Sequence, residues 1–120
     1  MEQINLKRSQ IIRLFSHSPW DGIYWFSGYK GEGKAKEWHK NGVLKKEFFT
    51  KNFKRHGKYI SYHSNGKVYE ECYFNNGMDD GEYKMYNEDG LLIKHYMFDN
   101  DKELADFIKH PELKKKYNVK

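Results

Sequence analysis

Apolar positions in the middle of the chain fall in short runs, Tyr59 to Tyr62, Val68 to Phe74, Tyr83 to Tyr86 and Leu92 to Phe98. Glycine, asparagine and aspartate bound each run, a pattern of short strands joined by tight turns. The punctuation keeps a constant stride. Gly33, Gly57 and Gly81 are 24 apart, and each is followed nine residues later by another glycine, Gly42, Gly66 or Gly90. Five residues after each opening glycine comes an aromatic ring, Trp38, Tyr62 or Tyr86. Asn52, Asn76 and Asn100 align without a gap, as do the pairs Phe49-Thr50, Tyr73-Phe74 and Met97-Phe98. A fixed period of this length marks a repeat architecture, in which each unit buries its apolar side only against its neighbours.

Each unit reads as a β-hairpin. Asn41-Gly42, Asn65-Gly66 and Asp89-Gly90 predict two-residue type I′ turns, since both central residues there need positive φ. Six strands then follow in order, and the aromatic segment Asp21 to Tyr29 adds one more before the first unit. The ends differ. Ile4, Ile11, Ile12, Leu14 and Phe15 fall partly at helical spacing, which predicts a short helix closed by Ser18-Pro19. Asp101 to Lys109 reads as a second helix, with Asp101 as N-cap and Leu104, Phe107 and Ile108 on one face; Glu112 to Tyr117 resumes it after His110-Pro111. The expected organisation is an N-terminal cap over 1–20, a repeat sheet over 21–100 and a C-terminal helix with a basic tail over 101–120. The units span 33–56, 57–80 and 81–104. The fold class is mainly β, a single curved antiparallel meander of stacked hairpins, with helices covering the exposed edge strands.

The stretch GKYISYHSNGKVYEECYFNNGMDDGEYKMYNEDG resembles MORN-type repeats, closest to the variant in bacterial antitoxin-like proteins and in large DNA viruses of protists. The resemblance covers Gly33 to about Asn100. It departs where Ala35 replaces the aromatic of Tyr59 and Tyr83, and where Phe53 and Asp101 replace Gly77. It implies a curved sheet of hairpins that binds or assembles, with no catalysis and no cofactor. Some members of the family associate with phospholipid.

Composition decides what such a sheet can be made of. Ile, Leu and Val number 17 while Phe, Tyr and Trp number 21, so the core must be largely aromatic, each ring burying roughly 150–250 Å². With 120 residues there is room for one domain. No run approaches the roughly 18 apolar residues of a membrane span, and the N-terminus lacks the apolar stretch of a secretory leader. The single cysteine, Cys72, cannot form an internal disulfide, which points to the cell interior or a particle assembled there.

Several constellations carry candidate chemistry. Trp38, Tyr62 and Tyr86 form one matched row and Tyr59 and Tyr83 another. They build the core and, on a sheet whose second face has nothing to cover it, supply the candidate surface for a protein partner. Lys109, Lys114, Lys115, Lys116 and Lys120 against Glu112 give the last twelve residues +4 of the overall +5. They are the candidate contacts for anionic lipid or nucleic acid, weighed against a merely solvated tail. The first unit is basic at Lys34, Lys36, Lys45 and Lys46, and the stretch around the third is acidic at Asp79, Asp80, Glu82, Glu88 and Asp89. That gradient suits head-to-tail or heterotypic association, with strand edges as a route to homo-oligomers. His39 and His63 sit one repeat apart but lack the further ligands a metal needs, so they read as unpaired surface histidines. Adjacent acids such as Glu70-Glu71 point to opposite faces of a strand, and no nucleophile or phosphate-loop motif occurs. The expectation is a non-catalytic scaffold that binds protein, in a viral or bacterial accessory setting. An antitoxin-like inhibitor and an anionic-surface binder are the alternatives.

Overall fold

A computed structural model describes residues 23–120, and these form one open antiparallel meander. The strands are β1 (Ile23–Tyr29), β2 (Glu32–Trp38), β3 (Leu44–Lys51), β4 (Lys54–Tyr62) and β5 (Val68–Asn75). They continue as β6 (Met78–Asp79), β7 (Gly81–Tyr86), β8 (Leu92–Asp99) and β9 (Lys102–Asp106). Each pairs with its sequence neighbour. The two-residue β6 and then β7 both pair with β5, so they are one strand interrupted at Asp80. Gly81 has φ +99° there, and its repeat equivalent Gly57 has φ +88° beside the register shift between β3 and β4. Both positions have ordinary space for a side chain; the left-handed backbone is what calls for glycine.

The turns at the two ends of the hairpins are of different kinds, and their assignment reverses the expectation. At the Asn-Gly sites only Gly42, Gly66 and Gly90 have positive φ. The Gly42 amide donates to the His39 carbonyl at 3.0 Å and the His39 amide to the Val43 carbonyl at 2.8 Å. This is a three-residue loop with its glycine in the left-handed region, and it recurs at His63–Lys67 and Asn87–Leu91. The Asn41 side chain accepts from the Val43 amide at 3.0 Å, which holds the asparagine out of the left-handed region. Type I′ turns lie instead at Asn52-Phe53, Asn76-Gly77 and Asn100-Asp101, where both residues have positive φ.

Hydrogen bonds between loops lock successive units. His39 Nε2 meets the Tyr62 carbonyl at 2.9 Å, and His63 Nε2 meets the Tyr86 carbonyl at 2.9 Å. Asn41 Nδ2 donates to the Ser64 carbonyl and Asn65 Nδ2 to the Glu88 carbonyl, each at 2.9 Å. At the opposite end the Phe53, Gly77 and Asp101 amides donate to the Gly31, Arg55 and Asp79 carbonyls. These histidines are therefore inter-unit ties, not the unpaired surface residues expected from ligand counting.

The C-terminal helix expected over Asp101–Lys109 is instead a strand, Lys102–Asp106, set between turns. Asp101 caps no helix; it is a turn residue at φ +69°, and β9 pairs with β8 through Met97–Ala105 and Asp99–Lys102. The only helical piece among the described residues is a 3-10 turn, Pro111–Lys114. The N-terminal helix expected over 1–20 lies outside the described residues. The expected bare second face is also covered at this end of the sheet. His95, which alternates with Tyr96, is buried; its ring lies 4.9 Å from Phe107, and Tyr117 packs edge-on against Phe107 at 6.2 Å. His95 Nε2 lies 2.6 Å from Glu82 Oε2.

The first-face core is thin: Ala35, Phe48, Tyr59 and Cys72 form one cross-strand row. Glu37 is buried beside them and pairs with Lys45 at 3.2 Å and Lys46 at 3.7 Å. Burial lowers the Lys46 pKa, and the Glu37 charge opposes that shift.

If the histidine ties hold the units together, His39→Ala and His63→Ala will each lower unfolding stability by about 1 kcal/mol, the usual net worth of such a bond. Urea denaturation with unchanged strand content by circular dichroism measures this; midpoints equal to wild type would contradict it.

Candidate functional site

Strand alternation and the bulges gather an aromatic groove of about 420 Å³ on the first face, lined by Arg55, Tyr59, Glu70, Cys72, Phe74, Asp79, Tyr83, Lys94, Tyr96 and Phe98. Pairing puts Tyr59 beside Cys72 and Tyr83 beside Tyr96. Phe74 meets Tyr59 edge-on at 5.4 Å and Phe98 meets Tyr83 edge-on at 6.0 Å. The second geometry is the first moved along by 24 residues.

The two halves of the groove differ in charge. In the first, the Arg55 guanidinium lies 5.3, 5.0 and 5.6 Å from the ring centres of Phe48, Tyr59 and Phe74, within the range of cation–π attraction. In the second, the repeat equivalent of Arg55 is Asp79. Glu70 stands between the halves. Its carboxylate accepts from the Tyr83 hydroxyl at 2.5 Å and from the Ser61 hydroxyl at 3.4 Å.

Electrostatics follow from this packing. Burial pushes the Cys72 thiol well above its ordinary value, and the Asp79 and Glu70 charges add to the shift. The thiol is thus held neutral and is a poor nucleophile. Burial likewise raises the Tyr59 and Tyr83 hydroxyls, with the Glu70 bond adding at Tyr83. The Asp79 carboxyl is raised chiefly by burial, then by Asp101 and Glu70, with Arg55 opposing.

The candidate residues read from sequence divide between several places. Tyr59 and Tyr83 are in the groove. Trp38, Tyr62 and Tyr86 are half-buried beside the bulges at the strand ends, opposite Leu44, Val68 and Leu92, and none of them lines it. Tyr62 lines an adjoining depression of about 290 Å³ with His39, His63 and Tyr69, which shares Tyr59 and Glu70 with the groove. Lys109, Lys115, Lys116 and Lys120 are exposed and Lys114 is half-buried, all on the C-terminal segment away from the groove lining. Sequence reasoning missed Arg55, Glu70, Asp79 and Tyr96. The signal available was the stride itself: Arg55 and Asp79 are 24 apart, and so are Phe48, Cys72 and Tyr96.

An open sheet of similar hairpins, tied to one another at both ends, defines a repeat protein. Residues 31–52 and 55–76 match the family described as MORN repeat variant, the two windows opening one stride apart. The chain carries MORN-variant repeats. Repeats of this family generally form scaffolds for protein or membrane interaction. No curated protein and no solved structure matches the chain significantly. Among the described residues no helix is long and apolar enough to cross a membrane.

The raised Asp79 pKa has a stability consequence with a definite sign. A carboxyl that ionises less readily when folded costs stability above its folded pKa, and the cost disappears below the ordinary value of 3.8. Asp79→Asn will therefore melt at a higher temperature than wild type at pH 7, and the gap will close as pH falls to the ordinary carboxyl value of 3.8. A gap that widens on acidification would contradict this reading of Asp79.

Proposed function

We propose that this chain is a non-catalytic scaffold that binds another protein through the aromatic groove of its first face. One observation carries the reading: Tyr83 and Tyr96 stay only half-buried although their counterparts one stride earlier, Tyr59 and Cys72, are buried. Aromatic rings set on a rigid sheet are good anchors for a partner, because few rotamers are lost on binding. Two settings suggested by the family resemblance share this act: an accessory protein in an intracellular or virion assembly, and an inhibitor covering the active site of a toxin. A second reading rests on the exposed Lys109, Lys115, Lys116 and Lys120, which would contact an anionic membrane or nucleic acid and release it as salt rises.

Affinity capture from the native source with quantitative mass spectrometry tests these readings. Tyr96→Glu, which places a charge in the groove, is expected to reduce the principal captured protein at least about tenfold, with the melting temperature nearly unchanged. Replacing the five tail lysines with glutamine is expected to leave that capture intact. The opposite result, loss with the tail and retention with Tyr96→Glu, would overturn the groove as the binding surface.

A further inference from the structure

Toward the start of the array the second face exposes rings and lysines together. Phe49 alternates with buried Phe48 and Tyr73 with buried Cys72, so both rings stand on this face, 46% and 49% exposed. They hold one repeat position on strands two apart, which sets them side by side at about 10 Å. Each lies along a glycine of the next strand. A Cβ on Gly57 would stand 4.0 Å from that of Phe49, and one on Gly81 3.8 Å from that of Tyr73. The backbone that calls for glycine there thus leaves each ring without a side chain over it. Among the described residues neither ring packs on another ring.

Lysines surround the first of these rings. Lys34 Nζ lies 5.6 Å from the Phe49 ring centre, and both line a depression of about 530 Å³ with Glu32, Lys51 and His56. Lys51 and Lys54 stand directly opposite each other, a like-charge pair that costs stability. The matched pairs one and two strides on are Asn75 with Met78 and Asp99 with Lys102, neutral or complementary. The Phe53 amide donates to the Gly31 carbonyl at 3.1 Å, which brings exposed Lys30 beside the same turn. Lys58 stands opposite Tyr73. Glu47 is shared by Lys34 and Lys36 at 2.9 and 3.7 Å. Among the described residues Lys30, Lys51, Lys54 and Lys58 have no carboxylate at ion-pair distance. The basic surface ends past Tyr73, where Glu71 and Glu82 adjoin Lys84.

Surplus positive charge calls for an anion, and open ring faces call for flat, stackable groups. An acidic peptide would meet the lysines and leave the rings uncovered. A duplex keeps its base faces stacked inside. A strand with unpaired bases satisfies both features. We infer that this part of the second face binds single-stranded nucleic acid, with bases stacked on Phe49 and Tyr73 and phosphates held by Lys51, Lys54 and Lys58. The site is distinct from the first-face groove and from the C-terminal lysines.

The test titrates the full chain into fluorescein-labelled single strands of about twelve nucleotides, one DNA and one RNA, and follows anisotropy over a range of salt. Lys51→Gln combined with Lys54→Gln removes two phosphate contacts, and is expected to flatten the plot of log affinity against log salt by about 1.4. Its melting temperature is expected to be no lower than wild type, because the like-charge pair goes with the lysines. Phe49→Ala is expected to bind about tenfold more weakly with the salt slope unchanged. Phe49→Leu, which keeps an apolar side chain beside Gly57, is expected to show the same loss. The oligonucleotide annealed to its complement is expected to bind more weakly than the single strand. Tyr96→Glu in the groove and glutamine at the five tail lysines are each expected to preserve the Phe49 effect, so failure here leaves the groove reading standing. No binding of either strand at low salt, an unchanged slope in the lysine variant, equal binding by Phe49→Ala, or duplex bound as tightly as single strand would each overturn the proposal. Binding to phosphatidylserine vesicles without binding to either strand would overturn it in favour of a membrane surface.

Discussion

The structure depends on bonds that cross from one hairpin to the next at a constant offset. Within a single hairpin the strand ladder closes locally, but one two-stranded unit is only marginally stable in water. What makes the array a body is that its loops bind their successors. His39 and Asn41 reach the carbonyls of Tyr62 and Ser64, and His63 and Asn65 repeat the reach to Tyr86 and Glu88. The amides of the type I′ turns do the same at the other ends, donating to Gly31, Arg55 and Asp79. With both ends of every hairpin fixed to a neighbour, stability becomes a sum over adjacent units. A residue that changes the stride would break the ties on both sides of it.

This constraint explains why the core can be so slight. Among the described residues no second sheet or long helix buries the rings, and aliphatics are scarce here. Phe48 and Tyr59 are nonetheless 1% and 5% exposed. The rings cover one another across strands, and the Arg55 guanidinium lies over them. On the opposite face the C-terminal segment performs the same service for His95 through Phe107 and Tyr117. The sheet therefore makes its own second layer out of single residues, wherever the sequence supplies one long enough.

The stride, the meander and the aromatic core were legible in the chain because they depend on spacing and side-chain class. Turn type was not, because Asn-Gly suits two geometries and the choice between them is tertiary. The carbonyls of Ser64 and Glu88 engage Asn41 and Asn65, and each asparagine also accepts an amide two residues on. The last strand was misread for a related reason. Leu104, Phe107 and Ile108 sit at helical spacing, and Asp101 resembles a cap, yet one more step of 24 carries Tyr83 to Phe107 and Asp79 to Glu103. Hairpin pairing with β8 outweighs a short helical pattern with weak local propensity. The groove was half visible. Tyr59 and Tyr83 were matched by spacing, but whether Trp38, Tyr62 and Tyr86 share their surroundings depends on bulges at Glu37/Trp38, Ser61/Tyr62 and Met85/Tyr86. A bulge resets the period-two rule that would otherwise place them.

Repetition turns this chain into its own control. The two copies share the stride but differ at several places, with Cys72 and Asp79 where Phe48 and Arg55 stood and Tyr96 where Cys72 did. Arg55 has a stem long enough to lie across three rings and a charge those ring faces attract. Asp79 has neither the length nor the sign. Its short carboxyl leaves Tyr83 and Tyr96 half-buried, and its own burial works against its charge. A position that carries a ring-covering cation in one unit thus carries a half-buried carboxylate one stride later, and the sheet's self-made layer thins where it does.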